Sequence, residues 1–163
     1  MSDPVSDLLG VILEEISLYR ELAEHARRKT ALLVQGTVEA ILESNKAEET
    51  FGSRLHALES DMRRLCQELT QAFRIPQEEF ALTRLADHLE LSLAGELRSQ
   101  IILLRNAVKY VKSISLRNMK LIEKSIYYSR SMLALLCNAS GSYQQNGLLE
   151  KLPPIQPAFS QRA

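Results

Sequence analysis

The residues of this 163-residue chain that could ligate a metal or move protons are three histidines, two cysteines and twenty acidic side chains. A dinuclear metal centre in a helical bundle needs Glu-x-x-His pairs projecting inward from facing helices. Three positions before His25, His56 and His88 stand Leu22, Ser53 and Leu85, and the pair His56 and Glu59 runs in the reverse order and occurs once. Cys66 and Cys137 lack the paired spacing of a zinc site, and read as two small reduced core residues. There is no Gly-rich phosphate loop and no G-x-S-x-G nucleophile turn. The expectation is therefore no catalytic residue, no metal and no cofactor. Each histidine reads as a partly exposed helix residue. Glu14-Glu15 and Arg27-Arg28-Lys29 read as solvated outer faces.

The elements that carry these residues are helical by composition and by period. Trp is absent, and five Tyr and four Phe are the aromatics, so Leu, Ala, Ile and Glu dominate as they do in packed helices. Acidic and basic residues balance at zero net charge, which argues against a nucleic-acid partner and leaves little self-repulsion to oppose association. No apolar run approaches the ~18 residues that span a bilayer, and the start Met-Ser-Asp-Pro is not a signal peptide. The expectation is one soluble, cytoplasmic domain with no membrane insertion.

Helix one should begin at Asp3, a plausible cap, with Pro4 at the first helical position. Its seam of Val5, Leu9, Ile12, Ile16, Tyr19, Ala23, Ala26, Thr30 and Leu33 alternates steps of four and three, the period of a left-handed supercoil. It should stop near Val34 at the turn Gln35-Gly36. Thr37 can cap helix two, whose stripe is clear at Leu55, Leu58, Met62, Leu65, Leu69 and Ala72. Earlier, Asn45 and Glu48 fall on the seam; either they mark register or the stripe rotates onto Leu42 and Phe51. The short link makes the two helices antiparallel neighbours.

Ile75-Pro76 should end helix two, followed by the link Gln77 to Phe80. Thr83 can cap a short helix from Arg84 to Glu90, with Leu85 and Leu89 inward, and Ser92 to Gly95 is a break or a kink. The longest helix covers Leu97 to Leu136 and ends around Asn138. Its stripe passes through Leu97, Ile101, Leu104, Val108 and Val111, then drifts to Ile114, Leu121, Tyr128 and Leu135. The fold class expected is all-α: an elongated antiparallel helical bundle with coiled-coil-like packing, three long helices and a short one, over residues 1–140. Residues 141–163 should form a flexible tail, because Pro153, Pro154 and Pro157 forbid helix. That tail nevertheless carries Leu148, Leu149, Leu152, Ile155 and Phe159.

Ser115, Asn118 and Ser125 interrupt the inner or near-inner face of the longest helix. One reading is a register-setting polar layer with satisfied hydrogen bonds. The other is a groove for another protein's helix, since a rod this long leaves surface that its shorter neighbours do not match. The groove residues would be Ile114, Asn118, Leu121, Ile122, Ser125, Tyr128 and Met132.

The segment SLRNMKLIEKSIYYSRSMLALL followed by GSYQQNG resembles the C-terminal signature of the FlgN family of flagellar type III export chaperones. That signature places two asparagines three apart, then a Leu pair, a Ser and a Tyr on one helix, and a tail with Tyr and a Gly four residues on. Asn118, Leu121, Ile122, Ser125, Tyr128, Tyr143 and Gly147 match, while Ser115 stands where the first asparagine is expected. The front half is similar too, with Tyr19 and Leu22 in Tyr-x-x-Leu and Leu32-Leu33-Val34 before the turn. The resemblance implies a cytoplasmic chaperone without catalytic residues. It would bind the C-terminal helical segments of the hook–filament junction proteins, keep them from assembling early and pass them to export gate components. The alternative expectation is a structural coiled-coil tether, or a homo-oligomer that seals the seam with a copy of itself.

Overall fold

A computed structural model describes residues 3–75 and 82–139. Four helices follow in order: α1 (Pro4–Gln35), α2 (Val38–Ala72), a single turn α3 (Leu82–Leu85) and α4 (Leu91–Ala139). No strand occurs among the described residues. The chain is all-α, as its periodicity predicts. The expected link at Gln77 to Phe80 and the tail from residue 141 lie outside the described residues. Residues up to Leu121 form one compact unit and those from Ile122 another, so each is described by itself.

The helix ends follow from local chemistry. The Asp3 carboxylate accepts from the Val5 N–H at 3.2 Å, and Pro4 opens α1. At its other end the Gly36 N–H donates to the Leu32 carbonyl at 2.7 Å. Gly36 is extended, at φ −84° and ψ 169°, so it is not there for left-handed backbone. Space is the reason: a Cβ at this position would strike the Leu32 carbonyl oxygen. The Thr37 hydroxyl then accepts from the Ala40 N–H at 3.3 Å and starts α2.

Helix α2 ends before the proline, through a motif the sequence does not advertise. Arg74 sits in the left-handed region at φ 54°. Its N–H donates to the Gln71 carbonyl at 3.3 Å, and the Ile75 N–H donates to the Thr70 carbonyl at 3.0 Å. That pair of bonds is a Schellman closure, usually made with glycine where Arg74 stands. Ile75, just beyond it, is buried in the core.

Two expectations fail after this point. The short helix is not Arg84–Glu90 capped by Thr83. It is the turn Leu82–Leu85 continued by a 3-10 turn over Ala86–His88, and Thr83 lies inside the first turn. Only Leu85 and Ala86 are buried there, so little apolar surface is available to extend it. The break considered at Ser92 to Gly95 does not occur, because α4 runs without interruption for 49 residues.

In the first unit α1 is the central element. It packs antiparallel to α2, with Ser44 and Glu48 opposite His25 and Lys29, and Arg54 opposite Glu21. It runs parallel to the first part of α4. Ala94, Leu97 and Ile101 share a core cluster with Val5, Leu8, Leu9, Ile12 and Ile16, and Asn118 reaches Ala26 and Thr30. A helix held on two sides buries two stripes. Leu8, Glu15, Leu18 and Lys29 are therefore buried beside the expected seam.

Glu15 and Lys29 thus correct the expectation of solvated outer faces. Lys29 Nζ lies 2.5 Å from the Glu48 carboxylate. His25 Nε2 stands 3.0 Å from Ser44 Oγ and 3.1 Å from its carbonyl oxygen, and the imidazole tilts against Phe51 at 5.6 Å between centroids. The early seam of α2 therefore runs through Ser44, Glu48 and Phe51, while Asn45 and Leu42 face outward. Cys66 is a buried core residue as expected, whereas Cys137 is exposed.

Candidate partner-binding surface

Residues 114–121 and 122–132 were the sequence's candidates, and they divide between the two units. In the first unit Ile114 and Leu121 are half-buried. Asn118 is 5 % exposed, and its amide Nδ2–H donates to the Ala26 carbonyl at 2.9 Å. Its Oδ1 accepts from the Thr30 hydroxyl at 2.6 Å. Asn118 is thus a satisfied polar layer between α4 and α1, the first of the two readings open at the sequence level. The polar layer fixes register, since a slip of one residue would leave buried polar groups without partners.

The helical residues of the second unit are different in kind. Between Ile122 and Cys137 no described side chain is buried. Ile122 is 38 %, Met132 65 % and Tyr128 69 % exposed, and Ser125 is exposed as well. Spacing at ~3.6 residues per turn puts Ile122, Ser125 and Met132 along one side of the helix, with Tyr128 at its edge. Tyr143 and Gly147 lie outside the described residues.

Exposure reveals members of this surface that the sequence reading missed. Ile126, Leu133 and Leu136 are all exposed apolar side chains. Ile122, Ile126, Ser129, Leu133 and Leu136 step by four and three along the centre of the stripe, and Met132 and Ser125 flank it. The signal that could have found them is that same alternation. The seven-residue repeat through Leu121, Tyr128 and Leu135 drifts around a straight helix and leads away from it. Tyr127 and Tyr128 meet edge to face at 5.9 Å. The charged residues from 122 to 139 are only Glu123, Lys124 and Arg130. Apolar side chains thus occupy a contiguous exposed face of the kind that marks an interaction site.

Among the described residues no cluster of three or more His, Cys, Asp or Glu could hold a metal ion. No helix among them is long and apolar enough to cross a membrane. Fold and surface together define a class: an all-α protein with an exposed apolar helix face. The family model described as FlgN protein matches residues 1–151, nearly the whole chain. The chain belongs to the FlgN family, a family of flagellar export chaperones rather than of enzymes. No curated protein and no solved structure matches it.

Proposed function

We propose that this chain is a cytoplasmic chaperone for the hook–filament junction proteins, binding their C-terminal helical segments and passing them to export gate components. The observation that carries this reading is the exposed apolar face centred on Ile122, Ile126 and Leu133 in a chain of the FlgN family. An amphipathic client helix would lay its apolar side on that face, the helix-in-groove mode of recognition. Ile122, Met132 and Tyr128 supply contact area, and Ser125 and Ser129 supply polar groups that tolerate water when the client leaves. Methionine adapts its shape to more than one client. Ile114 and Leu121 are half-buried in the first unit, where the Asn118 amide is engaged with α1.

The test is Ile122→Asp, which places an unpaired charge where the client would exclude water. The variant should melt as the parent does, because the side chain is exposed in the free chain. In calorimetric titration with junction-protein C-terminal peptides it should lose several kcal/mol of affinity, of the order of ~3 kcal/mol. Normal folding with unchanged binding would move the client site elsewhere. Light scattering that shows a dimer dissociated by the substitution would favour the homo-oligomeric reading.

A further inference from the structure

The first unit contains an open groove of about 1180 Å³ that the client reading does not use. Glu15 of α1, Glu59, Met62 and Cys66 of α2, and Ile75 and Leu82 beyond it line the groove. Glu15 is 4 % exposed, and its Oε2 has no hydrogen-bond partner. Such a group is rare, because a buried polar atom without a partner destabilises the fold unless something else supplies the donor. Glu59 is near enough to repel it, and burial together with that repulsion holds the Glu15 carboxyl above the usual carboxylate range. Arg63 and Arg74 also border the groove. Among the described residues neither forms an ion pair with Glu15 or Glu59.

We propose that this groove is a docking site for an arginine-bearing amphipathic helix of a partner protein. The guanidinium would be received by Glu15 and Glu59, and the flanking aliphatic side chains by the half-buried Met62 and Leu82. A guanidinium is the cation that fits: it is planar, carries five donors, and is less strongly hydrated than an ammonium, so it enters a half-dry site more readily. A divalent ion fits less well, since no cluster of three ligands exists among the described residues. The groove is also too large for one side chain, and its apolar stretch asks for a second and third residue on the same helical face. The site lies wholly in the first unit, so it stands or falls independently of the apolar face of residues 122–137. A chain with both surfaces could hold two different proteins at once.

The experiment uses the full chain, isotopically labelled, and two probes. One is an alanine–leucine helical peptide with a single central arginine; the other is the same peptide with citrulline there, which keeps the shape and removes the charge. The arginine peptide should shift the backbone amides around Glu59, Met62, Cys66 and Ile75. It should bind about tenfold or more tightly than the citrulline peptide, the scale of a desolvated charge pair. Glu15→Gln should erase that difference. Glu59→Gln, at an exposed position that cannot compromise folding, should reduce it. Equal binding of the two peptides, no binding of either, or amide shifts confined to residues 122–137 would each overturn the proposal.

Discussion

Replacing Asn118 by alanine tests whether this residue belongs to the permanent fold or to the partner surface. The amide donates to the Ala26 carbonyl at 2.9 Å and accepts from the Thr30 hydroxyl at 2.6 Å. Two net hydrogen bonds are worth about 1 kcal/mol each. The groups left behind are not orphaned, because the Thr30 hydroxyl already lies 3.1 Å from the Ala26 carbonyl and can donate there. That relief removes the desolvation penalty of about 1–3 kcal/mol that an unpaired buried group would add. With a small cavity included, Asn118→Ala should cost about 2–3 kcal/mol. At roughly 2–4 °C per kcal/mol for a chain of this size, the melting temperature should fall by about 4–12 °C. Urea denaturation followed by far-ultraviolet circular dichroism measures this directly. Thr30→Val provides a control, since it leaves Asn118 Oδ1 buried without its donor and should cost a similar amount by a different route. The double variant Thr30→Val/Asn118→Leu replaces both partners by apolar groups and should cost less than the two single variants summed. A stability of Asn118→Ala within about 0.5 kcal/mol of the parent would refute the assignment to the fold.

Three further outcomes follow from particular residues. Arg74→Gly relieves left-handed backbone strain at the end of α2 and should raise stability by about 0.5–1 kcal/mol, read in the same urea assay. Leu97→Ala should cost about 2–5 kcal/mol, because Leu97 is fully buried, whereas Leu133→Ala should change urea stability by less than about 0.5 kcal/mol. Glu15→Gln bears on pH. The Glu15 carboxyl is held up, first by burial and then by Glu59, so the folded chain keeps this proton at a pH where the unfolded chain has lost it. Its contribution therefore favours folding at low pH and is lost as pH rises from the ordinary carboxylate range through the raised value. Removing the charge should make the variant more stable than the parent at neutral pH, with the gain shrinking as pH falls through the raised value and gone below about pH 4; a gain that grows on acidification would contradict the raised carboxyl.

The helices and their caps were legible because short-range rules govern them. Asp3, Pro4, Gly36 and Thr37 lie where capping chemistry places them, and the seam from Val5 to Ala26 is buried as its spacing requires, except for the half-buried Tyr19. What could not be read was how many sides of a helix are covered. A single amphipathic stripe predicts one buried face, but α1 is flanked by both α2 and α4, so Glu15 and Lys29 are buried in spite of their charge. Partners such as Ser44 and Glu48 make that arrangement tolerable at Lys29 and His25, and no local pattern announces them. The end of α2 escaped for a related reason: a Schellman closure is normally signalled by glycine, and here arginine occupies the position. On the candidate surface, apolar periodicity located the right stretch of α4. It could not distinguish Asn118, which α1 covers, from Ile126 and Leu133, which nothing described covers.

The layout of α1 between two partners also sets an order of assembly. His25 and Ser44, which join α1 to α2, are separated by 19 residues, whereas Thr30 and Asn118, which join α1 to α4, are separated by 88. Closing the longer loop costs about 1.4 kcal/mol more chain entropy. The α1–α2 hairpin is therefore the cheaper nucleus, and it can form on the ribosome before α4 has been synthesised. Until α4 docks, the core cluster that holds Leu8, Leu9 and Ile12 lacks its members Ala94, Leu97 and Ile101. A chain of a chaperone family thus passes through an interval in which its own apolar surface is open to capture, and the speed of translation across residues 91–121 sets how long that interval lasts.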